Sequence, residues 1–518
     1  MIRKNPFLIF CLVITLLVSA TVLFIQSKRF TDAARRLLAS RFSPSFGIDA
    51  DFEGLSIQYF PPGLSILKPK VALRKRNIVG LPEGSQVTAE RIELNFKPIQ
   101  MLTGSIRINE FKIVNGDIQL EFDKIPTQAK PKSKKAIPAL RWDELFHVHA
   151  DSVGIENTRV RLKFNDPQLK AEFLAKNLSV SQWSGKGGVG YAIDLDIENI
   201  SGEVPKSWKI PKQIKSVRAK ARINSLGLTV ENFSTSIQGV DLSLNGKVDG
   251  NLLERQDLPF DVAYDISGDP RGFKLPVDFN GSFRAQGKAQ GNLEKIGDTL
   301  RGDIKLDTQN VKIMKWEFDS GSAQADYQFK AGSPEINLEK LVIAAAEKPR
   351  VGGVPASGGK VTVSGVRWKY GSSDLVHADI KIERAHVHWL APVVRREIFP
   401  LDMRVSGQIV SVIKPTADWN LRNEINLVVG QLDLDNGKMG VVKPLTKVLS
   451  VQDIRVSGIA NVNSEEVKLD SVNIALKESK FKASGKISFS EGLDITAAGN
   501  VQLKEIGQLA EQDIRGQG

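Results

Sequence analysis

The sequence predicts a mainly β protein: an N-terminal transmembrane helix followed by an elongated antiparallel β-sheet folded into a groove, a U-shaped trough, with few short helices. Three observations predict it. One apolar run covers residues 6–25. From residue 44 onward, apolar and polar residues alternate in run after run, the period of a half-buried strand. Beyond residue 43 almost nothing carries helical periodicity.

The apolar run is read as a transmembrane anchor over residues 1–26. Twenty residues at about 1.5 Å each span roughly 30 Å, the thickness of a bilayer's hydrocarbon core. No charge interrupts residues 7–25. A cleaved signal peptide is the rival reading, because Val18-Ser19-Ala20 resembles a small-residue cleavage site. Thr21-Val22-Leu23-Phe24-Ile25 continues the run past that site and favours the anchor. Orientation stays open. Arg3 and Lys4 flank one side and Lys28 and Arg29 the other, and long domains translocate with little regard to such charges.

Residues 27–43 predict an amphipathic juxtamembrane helix. Phe30, Ala33, Ala34, Leu37, Leu38 and Phe42 recur at helical spacing, and Arg29, Arg35, Arg36 and Arg41 are interleaved with them. Those four arginines are candidate contacts to a membrane surface. A helix docked on the body is the alternative. The chain has 71 basic against 59 acidic residues, a net charge of +12, which suits either solubility or an anionic surface. Its single cysteine, Cys11, lies in the anchor, so a body in an oxidising compartment would need no disulfide chemistry.

Residues 44–123 form a first β module. Its strand signals are Ile106/Ile108 and Ile118/Leu120/Phe122. Residues 124–140 form a basic, Pro-rich loop with Lys130, Lys132, Lys134 and Lys135. Residues 141–518 are a repetitive β body, expected to continue beyond Gly518 in a longer chain. Its clearest strand alternates Ile193, Leu195 and Ile197 with Asp194, Asp196 and Glu198. Further runs are Leu242/Leu244, Ile304/Leu306, Val361/Val363, Ile380/Ile382, Ile425/Leu427/Val429 and Ile474/Leu476. The pairs Asn115-Gly116, Asn245-Gly246, Asn280-Gly281 and Asn436-Gly437 predict hairpin turns. Short helices are expected at 390–398, 444–451 and 503–511. A loose repeat, Pro-apolar-Asp-apolar, starts at Pro259, Pro276 and Pro400.

Catalytic patterns are sparse. Residues 185–190 match G-x-G-x-x-G, but a strand follows at once, so a hairpin is expected there. His147/His149 and His386/His388 could each share a strand face, with the imidazoles turned to water opposite Phe146/Val148 and Val387/Trp389. No third ligand suggests itself, and no metal or cofactor is expected. Nucleic-acid binding is disfavoured by the anchor and by the lack of interleaved basic and aromatic clusters.

A sheet with one apolar face must cover it. If the sheet folds along its length, the apolar side chains line a groove; with strands about 4.8 Å apart, roughly 30 strands would make a trough on the order of 140 Å. Such a groove could shelter acyl chains at about 0.8 kcal/mol per methylene. A stack of closed β-sandwiches is the alternative. The groove reading names Ile106, Ile108, Ile118, Leu120, Phe122, Ile193, Leu195, Ile197, Leu242, Leu244, Ile304, Leu306, Val361, Val363, Ile380, Ile382, Ile425, Leu427, Ile474 and Leu476 as lining residues.

Ala89-Glu90-Arg91-Ile92-Glu93-Leu94, Pro98, Leu102-Thr103-Gly104-Ser105-Ile106-Arg107-Ile108, Phe111-Lys112-Ile113 and Gly116-Asp117-Ile118 together resemble the N-terminal module of AsmA-like proteins. The anchor and the Lys/Pro-rich loop sit where that family has its own. The stretch 471–503, with Gly485, Gly492 and Gly499, looks like the family's later repeats. The resemblance, to AsmA-like and TamB-like bridges, implies a bacterial inner-membrane protein, single-pass, with its body in the periplasm. It implies phospholipid passage between inner and outer membranes, with no enzymatic activity and no cofactor. A scaffold that helps insert outer-membrane proteins, through an outer-membrane protein partner, is the alternative.

Overall fold

The structure is a computed structural model. It describes residues 24, 27–37, 48–59, 62–73, 84–97, 108–124, 150–166, 169–185, 188–203, 213–252, 257–272, 279–313, 316–330, 332–348, 357–371, 374–390, 401–414, 420–435, 447–463, 465–488 and 492–502. The predicted anchor (apart from Phe24), Arg41, Ile106, almost all of the basic loop, His147, His149, Asn436-Gly437 and the helix at 503–511 lie outside them. No helix among the described residues is long and apolar enough to cross a membrane.

The fold is mainly β, as alternation predicts, and the chain divides into two compact units, Met1–Phe260 and Asp261–Gly518. Unit one holds helix α1 (Lys28–Leu37) and strands β1 (Ile48–Asp51), β2 (Gly54–Tyr59), β3 (Pro62–Leu67), β4 (Lys70–Leu73), β5 (Gln86–Phe96), β6 (Ile108–Lys124), β7 (Ala150–Asp166), β8 (Leu169–Gly185), β9 (Gly188–Glu203), β10 (Gln213–Asn224), β11 (Gly227–Ile237) and β12 (Val240–Asp249). From β5 to β12 each strand pairs with the next. At the N-terminal edge, β3 and β4 share β5 as a partner, with a break at Lys68-Pro69.

The boundary between units falls inside β13 (Pro259–Gly268). Unit two continues with β14 (Phe279–Asn292), short helix α2 (Ile296–Thr299), β15 (Arg301–Ile313), β16 (Trp316–Lys330), β17 (Ser333–Lys348), β18 (Ser357–Lys369), β19 (Val376–His386), short helix α3 (Val387–Leu390), β20 (Leu401–Lys414), β21 (Asn420–Asp435), β22 (Lys447–Val462), β23 (Glu466–Ala475), β24 (Lys480–Ser488) and β25 (Gly492–Asn500). From β14 to β25 every pairing is antiparallel and joins consecutive strands.

Four expectations change. The sheet is not purely antiparallel: β6 and β7 run parallel, from Ile108↔Ala150 to Lys124↔Asp166. A parallel pair needs a crossover of a dozen residues or more, and residues 125–149, containing the basic loop, are long enough for one. Second, the three Asn-Gly pairs among the described residues are not turns. Asn115-Gly116, Asn245-Gly246 and Asn280-Gly281 lie inside β6, β12 and β14. Asn115 adopts φ 51°, and Asn157, level with it in β7, adopts φ 45°. Both are left-handed steps taken inside strands of 17 residues, and the ladders keep their register through them. Third, residues 447–451, expected to be helical, open β22 and pair with β21 instead. Fourth, the chain turns helical at Val387, so the His386/His388 pair is not on one strand, and His386 is buried rather than facing water. The G-x-G-x-x-G stretch is a hairpin, as expected, with Gly185 paired to Gly188.

Candidate functional site

Pairing fixes which side chains share a face, because residues opposite each other in a ladder point to the same side. In unit one, a single row across the strands reads Leu55, Ile66, Ile92, Ile113, Ile155, Leu178, Leu195, Ala219, Phe233, Leu244. Every member is apolar. One residue along, the row on the other face reads Ser56, Ser65, Glu93, Lys112, Gly154, Ser179, Asp194, Lys220, Asn232. Unit two repeats the division. Its apolar row runs Ala285, Leu306, Ala323, Leu341, Val363, Ile380, Ile409, Ile425, Gly458, Val472, Ala483, Ala497. Its opposite row begins Arg284, Asp307, Ser322, Val342, Thr362, Lys381, Gln408.

Among the described residues, the apolar face lacks a second layer to close it. Strand contacts are with ladder neighbours and, locally, with short helices. The largest fully buried side chains among the described residues are Val311 and Thr158; no leucine, isoleucine or aromatic reaches that state. Leu195, Phe233, Leu306 and Ile425 stay half-buried. This differs from a close-packed core, in which such residues are fully enclosed. Polar residues interrupt the face in places, among them Ser411 and Asn423. These two are buried, and the Ser411 hydroxyl lies 2.7 Å from Asn423 Oδ1.

The polar face carries cross-strand ion pairs. Lys220 Nζ lies 3.4 Å from Asp194, Arg284 2.6 Å from Asp265, and Lys360 Nζ 3.1 Å from Glu383. The hydrogen bond from Arg284 holds the Asp265 carboxyl below the usual range, and Lys381, then Lys360, do the same for Glu383. Exposed pairs of this kind contribute about 0–1 kcal/mol each. Their clearer effect is on register, since opposite charges face each other only in the observed alignment.

One part of the unit-two face is roofed. A cavity of about 570 Å³ has Leu306, Thr308, Ala323, Leu341, Ile343 and Val361 among its lining residues, with Trp316, Trp389 and Leu390. Short helix α3 follows β19 and packs on β18, β19 and β20. From there it reaches back to β16. Trp389 Nε1 donates to the Glu317 carbonyl at 2.8 Å, and Trp316 Nε1 donates to the Leu390 carbonyl at 3.3 Å. Toward the other end of the same strands, Tyr264 and Tyr327 bring their hydroxyls over Gly287 and Gly302, where a Cβ would meet them within 2.8 Å and 2.6 Å. The Tyr264 hydroxyl donates to the Asp303 carbonyl at 2.9 Å. Burial, then the neighbouring Tyr327, pushes the Tyr264 phenol well above its ordinary pKa.

The predicted lining residues divide as follows. Ile193, Leu195, Ile197, Leu242 and Leu244 share the unit-one face through the ladders from β9 to β12, and Ile118, Leu120 and Phe122 reach it through β7 and β8. Ile108 pairs with Phe96 and Ala150. Ile304, Leu306, Val361, Val363, Ile380, Ile382, Ile425, Leu427 and Ile474 share the unit-two face. Leu476 lies just past β23 and packs on the cluster of Val405, Val429 and Ile454. Only Leu306 and Val361 line the cavity. Sequence reasoning missed Phe279, Ile313, Trp316, Phe318, Trp389 and Leu390. Asn310, at φ 50°, lies in a bulge of β15 against β14, between Gln309 and Lys312, so Ile313 joins Leu306 on one face despite the odd spacing.

Of the predicted membrane contacts, Arg29 and Arg36 are exposed on α1. Arg35 is engaged by the body instead. It donates to the Phe52 carbonyl, lies 3.2 Å from Asp51, and stacks 5.6 Å from the Phe52 ring. A carbonyl at the break between β1 and β2 has no ladder partner, and a guanidinium satisfies it. No group of potential metal ligands occurs among the described residues. No protein-family model, curated protein or solved structure matches the chain.

Proposed function

We propose that this chain is a bacterial envelope protein that shelters phospholipid acyl chains on its apolar face and conducts them between inner and outer membranes. On this reading, residues 1–26 anchor it in the inner membrane and the β body stands in the periplasm, without cofactor or catalysis. The observation that carries the proposal is the pair of apolar rows, ten strands wide in unit one and twelve in unit two, which no second layer covers among the described residues. Exposed apolar surface on this scale is costly in water and marks a surface with an occupant. An acyl chain is a suitable one, since each methylene withdrawn from water contributes about 0.8 kcal/mol. The resemblance of residues 89–118 to AsmA-like modules supports the compartment and the cargo.

Native mass spectrometry of the full chain in mild detergent, with lipid extraction, tests the proposal. Several phospholipids per chain are expected. A lipid-free chain that carries a stoichiometric outer-membrane protein would replace this reading with an assembly scaffold.

A further inference from the structure

We infer that the cavity beneath α3 is a holding site for one alkyl chain of a lipid, a fixed stop on an otherwise open face. The inference rests on the lipid-sheltering reading and adds to it a place and a latch. The face continues from the cavity across β19 to β25 through Ile409, Ile425 and Val472, so a chain can reach the cavity along the sheet. At the cavity the surroundings change. The floor is aliphatic, and two indoles and Leu390 are added to it. The Trp316 and Trp389 N–H groups are engaged by backbone carbonyls and the Thr308 hydroxyl by the Gly321 carbonyl, while Ser322, also at the cavity, belongs to the row of the opposite face. What remains turned inward is hydrocarbon, which matches an alkyl chain and not a headgroup. If a methylene takes the ~30 Å³ that a water molecule occupies in the liquid, the volume suits on the order of 20 carbons.

The two indole bonds make the roof a latch. They cross from α3 to the first residues of β16, and opening them uncovers the cavity on the side of Trp316. A face of even hydrophobicity would let lipid slide without pause; a roofed cavity gives one chain a longer residence before it moves on.

Photo-crosslinking tests this on the full chain in mild detergent, with a fatty acid carrying a mid-chain diazirine as probe and peptide mapping as readout. One saturable adduct is expected on peptides bearing Trp316–Phe318 or Trp389-Leu390. Ala323→Phe, which fills the floor, should reduce that adduct by about tenfold or more while adducts on unit one persist, as for a ligand excluded from a filled pocket. Trp389→Phe keeps an aromatic ring and removes the N–H, and should raise the probe's off-rate several-fold. Adducts spread evenly over both faces and indifferent to Ala323→Phe would overturn the holding site and leave the lipid reading standing. No adducts on either face would overturn both. If Ala323→Phe fails to fold, the milder Trp389→Phe decides, and an unchanged off-rate overturns the latch.

Discussion

Trp389 gives its indole N–H to the carbonyl of Glu317 at 2.8 Å, although 72 residues separate the two in sequence. With the returning bond from Trp316 to Leu390, it ties a one-turn helix to a strand three ladders away. A four-residue helix has no stability of its own, so these contacts hold it. Trp389→Ala should therefore destabilise unit two by about 2 kcal/mol, below the ~3–5 kcal/mol of a fully buried tryptophan because this one is half-buried. Hydrogen exchange at residues 316–318 should rise in the variant. Unchanged exchange there would mean that the roof is held by something else.

The two faces predict opposite sensitivities at adjacent positions. Leu195 stands between Leu178 and Ala219 on the apolar face, whereas Asp194 pairs with Lys220 on the other. Leu195→Asp should remove most lipid from unit one and cost about 1–3 kcal/mol. Asp194→Asn should keep its lipid and lose less than about 1 kcal/mol. Equal lipid content in the two purified variants would remove the basis for a functional apolar face.

Glycine positions separate bend from filler. A Cβ at Gly458 would sit 2.0 Å from the Ser471 carbonyl oxygen, at φ 154°, whereas one at Gly430 would meet nothing within 4 Å. Gly458→Ala should cost on the order of 1–3 kcal/mol or more, since both contact and backbone are strained. Gly430→Ala should be neutral or slightly stabilising. Thermal melts of the two single variants compare them directly, and a Gly458→Ala melt matching wild type would count against the close approach.

Tyr264 predicts an alkaline limit to stability. Its phenol is held above the ordinary value of 10.0, with burial the main cause. Below pH 10 both folded and unfolded forms keep the proton, and the contribution is fully present. As pH rises past 10 the unfolded chain releases the proton while the folded chain retains it, so stability falls. Urea melts from pH 8 to 11 should show that fall, and Tyr264→Phe should flatten it. A variant that falls as steeply as wild type would mean that the tyrosine is not the titrating group.

The alternation around Leu195 and Leu306 was legible in the sequence because one wet face and one dry face impose a period of two. What was not legible traces to left-handed steps inside strands. Asn115-Gly116 carries the turn signal of a hairpin and is in fact a left-handed step inside a 17-residue strand. The composition is the same because both features need positive φ, and only pairing with β5 and β7 tells them apart. The same step at Asn310 hid Ile313 from a parity count. The cavity was hidden for a different reason: Trp316 and Trp389 meet only when β16 to β19 are laid side by side, and no local period records that. The spacing of Arg35 marks a helix face, and its bond to the Phe52 carbonyl has no local signal in the sequence.

The parallel pairing of β6 and β7 bears on how the chain is made. Almost every described ladder joins strands adjacent in sequence, so contact order is low and each strand can dock as soon as its neighbour has left the ribosome. At β7 this sequential growth must stop. The chain has to traverse residues 125–149 before the next strand finds its place, and loop closure makes that the entropically dearest joint in unit one. Until it closes, β6 presents an unpaired edge, and a nascent chain halted there would be the one most in need of a chaperone.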